Sequence, residues 1–72
     1  MGKADTSRCY RIVLRGRLGQ TFADAFVGMS LSPRQGETVL EGRLSDQSQL
    51  FGVLDRVRDL AIEIVRVEEI AS

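Results

Sequence analysis

Gly16-Arg17-Leu18-Gly19-Gln20-Thr21-Phe22-Ala23-Asp24-Ala25-Phe26 is the stretch on which the topology turns. Gly16 and Gly19 bracket a turn, and Thr21 with Asp24 three residues later reads as a capping box. That box opens a short helix through Phe26, with Phe22 and Phe26 four apart on one face. The whole connection is about eleven residues, the lower limit for a crossover between strands.

Upstream, Arg8 to Arg15 alternate. Tyr10, Ile12 and Leu14 point one way, and Cys9, Arg11, Val13 and Arg15 the other, the period-two signature of a half-buried strand. Downstream, Val27, Met29 and Leu31 alternate with Gly28 and Ser30 as a second strand. Ser32-Pro33-Arg34-Gln35-Gly36 has turn chemistry, because Pro presets one dihedral and Gly supplies a positive one. Glu37 to Leu44 completes a hairpin. Asp46 with Gln49 caps a helix running to about Leu60. Leu50, Leu54, Val57 and Ala61 form its apolar stripe, with Val53 and Leu60 on the flank. Ile62 to Val67 is the last strand. The order is strand, helix, strand, strand, helix, strand. That is the ferredoxin-like β-α-β-β-α-β pattern, an α+β fold whose antiparallel sheet carries both helices on one face. If the first helix is a single turn, the alternative is a three-stranded meander followed by helix and strand. Residues 1–7 read as a disordered polar segment and 8–70 as one domain.

Composition narrows the function. The chain has 72 residues, ten basic and ten acidic side chains, no His and one Cys. Zero net charge argues against nucleic acid as a partner, since that binding rests on unpaired Lys and Arg. Without His there is no imidazole-based zinc site or nucleophile pair. No run is long enough to span a membrane. Met1-Gly2-Lys3-Ala4-Asp5-Thr6 fits the loose myristoylation pattern, which is short enough to match many chains by chance. The polar start and the lone Cys9 point to a cytoplasmic chain without disulfides. A catalytic thiol at Cys9 lacks a base, and Glu68 and Glu69 face opposite sides of a strand. Arg15-Gly16-Arg17-Leu18-Gly19 lacks the remaining glycines and the lysine of a phosphate loop. The expectation is a non-enzyme with no cofactor and no metal.

Charge is unevenly divided. Residues 1–36 hold six Lys and Arg against Asp5 and Asp24, and residues 37–72 hold four Arg against eight acids. With the first strand between the third and fourth, Arg11 and Arg15 neighbour Glu41 and Glu63, and such cross-strand pairs contribute roughly 0.2–1 kcal/mol each. Val13, Val39, Val65 and Val67 are expected on the same outward face as these arginines. An antiparallel sheet keeps that face wet unless something covers it. No third layer remains in so short a chain, so the expected cover is a second copy. Gly52, mid-helix and away from the apolar stripe, joins that interface if another backbone approaches it closely. The expected function is therefore a homo-oligomeric interaction and assembly domain working through its open sheet face. The alternative is a regulatory module that binds a small anion at a subunit boundary through Arg11, Arg15, Arg17 or Arg43.

Gly42-Arg43-Leu44-Ser45-Asp46-Gln47, then Leu50-Phe51-Gly52-Val53-Leu54 and Arg58-Asp59-Leu60, resembles the signature of a family of small uncharacterised bacterial and archaeal proteins. Tyr10, Ile12, Leu14 and Gly16 match its upstream element loosely, and Phe22 and Phe26 its aromatic-rich turn. The resemblance covers most of the chain and implies no established activity. At Phe51 this chain departs from the His common in that family, so no imidazole role carries over.

Overall fold

β1 (Arg8–Arg15) forms where apolar and polar residues alternate, with the bounds read from the sequence. The computed structural model describes residues 8–19, 22, 24–26 and 28–70. Three further strands and one helix follow: β2 (Ser30–Arg34), β3 (Glu37–Leu44), α1 (Gln47–Asp59) and β4 (Ile64–Ile70). The sheet order is β2-β3-β1-β4, and every neighbouring pair is antiparallel. β1 is thus paired on both sides, and its consecutive residues Ile12, Val13 and Leu14 are fully buried.

Among the described residues the element order is β-β-β-α-β with one helix, which overturns the ferredoxin-like expectation of two. Nor is the sheet a sequential meander, because β3 separates β1 from β2. In the stretch read as a first helix, the backbone hydrogen bonds among the described residues each span three positions. Phe22 N–H donates to Gly19 O at 3.0 Å, Ala25 N–H to Phe22 O at 3.0 Å, and Met29 N–H to Phe26 O at 3.1 Å. The spacing of the aromatics serves packing instead, with ring centroids 4.7 Å apart and Phe26 buried in the core. Thr21, half of the expected capping box, and Val27 lie outside the described residues, as do residues 1–7.

Two contacts hold this connection onto the sheet. The buried Thr38 hydroxyl donates to Gly16 O at 2.7 Å and accepts from Leu18 N–H at 3.1 Å. Gly42 lets the chain cross β3, since a Cβ there would lie 2.9 Å from Met29 Cγ and 3.3 Å from Gly28 O. β2 consequently begins at Ser30, later than the pattern from Val27 implied, and absorbs half of the expected loop. Only Gln35 and Gly36 remain as the turn, both with positive φ, 33° and 81°. Such turns match the twist of a hairpin. Pro33 is tolerated because β2 is an edge strand, where a missing N–H costs the ladder nothing.

α1 starts as read: Asp46 Oδ1 accepts from Gln49 N–H at 3.0 Å, and Gln49 Oε1 accepts from Ser45 N–H at 2.8 Å. Leu50 and Val57 are buried with Phe26 against Ile12, Leu14, Leu40 and Leu44, while Val53 and Leu54 pack partly against the same cluster. Ala61, expected on the apolar stripe, ends the helix in the left-handed region at φ 60°. Ala61 N–H donates to Arg58 O at 2.9 Å and Ile62 N–H to Val57 O at 3.3 Å, the Schellman arrangement. Ile62 is thereby used in closing the helix, and β4 starts at Ile64 instead. A left-handed alanine carries a steric penalty that glycine lacks. Ala61→Gly is expected to raise the free energy of unfolding by about 1 kcal/mol, measured by urea denaturation.

Candidate functional site

Directly opposed residues in antiparallel strands share a face. The side of the sheet away from α1 carries Cys9, Arg11, Val13 and Arg15 of β1, and Arg43, Glu41, Val39 and Glu37 of β3. β4 adds Ile70 beside Cys9, Glu68 beside Arg11 and Arg66 beside Val13. A row of charge runs across three strands. Arg11 Nε meets Glu41 Oε2 at 2.6 Å, Arg11 Nη1 lies 3.6 Å from Glu68 Oε1, and Arg66 Nε lies 3.3 Å from Glu68 Oε2. Arg15 Nε pairs with Glu63 Oε1 at 2.9 Å. The expected partnering of Arg11 and Arg15 is therefore present.

The hydrogen bond from Arg11 to Glu41, followed by that carboxylate's charge, raises the Arg11 pKa above the ordinary guanidinium value. A raised folded-state pKa gives stabilisation that is complete below the unfolded value and lost only as pH rises through the raised one. Arg11 thus stays charged and engaged with Glu41 through neutral pH.

The four valines separate. Val13 is 0% and Val39 4% exposed on the outward face, within a single chain. They oppose each other, and Arg11, Arg15, Glu37, Glu41 and Arg66 surround them by register. Long charged side chains cover apolar neighbours with their hydrocarbon stems. Val67 opposes Ile12, so it lies on the helix side of the sheet, where it is 39% exposed. Val65 is the extra residue of a β-bulge, for Val13 pairs with Arg66 and Leu14 with Ile64. A bulge shifts the alternation by one, which is why Val67 could not be placed by counting in twos.

Gly52 belongs to a different region. Together with Phe26, Met29, Arg43, Gln49 and Arg56 it lines a cleft of about 590 Å³ between α1, the end of β3 and the turns before β2. No atom lies within 4 Å of where its Cβ would be. Of the four arginines expected at a ligand site, Arg43 lines this cleft, Arg11 and Arg15 sit in outward-face ion pairs, and Arg17 lies exposed in the loop after β1. The structure does not bring the four together. Among the described residues, no three His, Cys, Asp or Glu side chains gather as a metal-holding set. No described helix is long and apolar enough to cross a membrane.

Sequence reading missed the part played by β4. Arg66 and Glu68 stand two apart on one face, a signal present in the sequence but hidden by the assumption of an unbulged strand.

A family described as a domain of unknown function, DUF8691, matches residues 9–68. The chain belongs to this family. The DUF8691 match runs from the second residue of β1 into β4 and so takes in all four strands and α1. No curated protein and no solved structure matches the chain.

Open space around Gly52 has a direct consequence. Gly52→Ala is expected to stabilise the fold by about 1 kcal/mol, the helix-interior difference between these residues, read as a higher urea midpoint with an unchanged denaturant slope.

Proposed function

We propose that this DUF8691 chain is a small non-catalytic assembly domain that joins a second copy of itself through its sheet. The observation that carries this reading is the state of β4. It is an edge strand of seven residues, apolar at Ile64, Val65, Val67 and Ile70, with no strand beyond it among the described residues. Its Val67 is left 39% exposed on the side where α1 packs over β3. A seven-residue edge presents unpaired N–H and C=O groups and is a template for another strand. The opposite edge, β2, is five residues long and interrupted by Pro33, which blunts it. The outward-face valines originally expected to be the contact are already closed by their own chain. The weight of the proposal therefore rests on β4, with Val65 and Val67 as the interface residues retained from the sequence.

Light scattering at high micromolar concentration is expected to return twice the chain's 8.0 kDa. Val67→Lys, at a side chain that is partly exposed in the single chain, is expected to return the single mass with an unchanged far-UV spectrum. A single mass for the unmodified protein would remove the proposal.

The cleft favours a second reading, binding of a small organic anion. Arg43, Arg56 and Gln49 line it beside the apolar Phe26, Leu44 and Val53. Such a combination of apolar lining and few polar groups is the usual make-up of a ligand site. If an anion binds there, a panel of aromatic carboxylates and phosphate monoesters should include one that raises the melting temperature. Arg56→Ala should abolish that rise, and a uniform absence of shift across the panel would dismiss this reading.

A further inference from the structure

We infer that β4 pairs antiparallel with β4 of a second copy, about a two-fold axis at Val67, merging two sheets into one; this rests on the assembly reading above. The order of charges and hydrogen-bonding groups along the edge selects the register. Arg15 N–H donates to Glu63 O at 3.0 Å, so these residues are a hydrogen-bonded pair between β1 and β4. Bonded and non-bonded pairs alternate along an antiparallel ladder. Val13 with Arg66, Arg11 with Glu68 and Cys9 with Ile70 are therefore bonded pairs too, given their register. The backbone groups of Arg66, Glu68 and Ile70 are used inward, and those of Val67 and Glu69 point to the free edge.

An added strand must meet those outward groups. Centred on Glu68, the pairing sets Glu68 against its own copy. Centred on Arg66, it sets Arg66 against itself, and centred on Glu69 it again opposes like carboxylates. Like charges directly opposed are destabilising. Centred on Val67, the pairing puts Arg66 opposite the second copy's Glu68 and Glu68 opposite its Arg66. These are non-bonded pairs in the new ladder, the kind in which side chains stand closer. Val67 meets its own copy, and its exposed side chain is covered. Glu68 Oε1 makes no hydrogen bond within the single chain, its ion-pair contact with Arg11 Nη1 being 3.6 Å long, and a second Arg66 brings donors to that carboxylate. Of the registers centred on residues 66 to 69, that at Val67 alone sets opposite charges against each other.

Two experiments decide the matter. In a Cys9→Ser background, Val67→Cys places two thiols on a cross-strand pair with Cα atoms about 5.5 Å apart, within the disulfide range. Mild oxidation should link it to double mass, whereas Val65→Cys alone and Glu69→Cys alone should stay single. Separately, Arg66→Glu and Glu68→Arg should each weaken self-association at least about tenfold, since each opposes like charges. An equimolar mixture of the two should recover it, because every opposed pair is again of opposite sign. Circular dichroism establishes that each variant is folded; if Glu68→Arg is not, the cross-linking result alone decides. Double mass for the unmodified protein, with no Val67→Cys link, would overturn the register and leave the assembly reading standing. A single mass for the unmodified protein would overturn both.

Discussion

One helix must shelter a four-stranded sheet. Thirteen residues of α1 make a rod about 20 Å long and about 10 Å wide. Strands lie about 4.8 Å apart, so that width spans about two of them. α1 lies over β3, and the apolar cluster beneath it draws on β1, β3 and the Phe26 turn. The described residues between Gly16 and Met29 add Leu18, Phe22, Ala25 and Phe26 to that cover. They can lie close only because Gly42 presents no side chain to Met29. The helix packs chiefly on β3 rather than on β4. The exposure of Val67 follows from this shortage of helix, and with it the interest of that edge.

The outward face shows a different solution to the same shortage. A single-layered sheet would leave Val13 and Val39 wet, yet both are buried. Their neighbours by register are long and charged, and those charges neutralise each other across strands. Arg11 sits between Glu41 and Glu68, on the two strands that flank β1. Such a pair has a double role: its charges hold register, and its methylene stems keep water from the valines. An ion-paired surface of this kind has little remaining affinity for an anion, which is why the ligand reading moves to the cleft beside α1.

These two arrangements separate assembly from ligand binding in space. The β4 edge and the cleft at Gly52 draw on different residues, so each can be altered without the other. Membership of the DUF8691 family assigns the chain no activity. The functional case therefore rests on β4, whose central run Arg66-Val67-Glu68 is complementary to its own reverse.

Residue pattern alone determined β1, β3 and the start of α1, because period-two alternation and a side-chain cap are local properties. It also established the facing of Arg11 against Glu41, since that follows from two strands paired in register. The packing role of Phe22 and Phe26 was not legible: their spacing reads as a helix face, and only the tertiary structure shows the two rings together against the core. The limits of β2 and β4 were not legible either, because Gly42 sets where the crossing chain reaches β2 and the Ala61 turn consumes Ile62. Tertiary structure alone decided that Val13 and Val67 lie on opposite faces. One bulged residue, Val65, reverses the alternation, and a bulge arises from pairing with a neighbour that the sequence does not display.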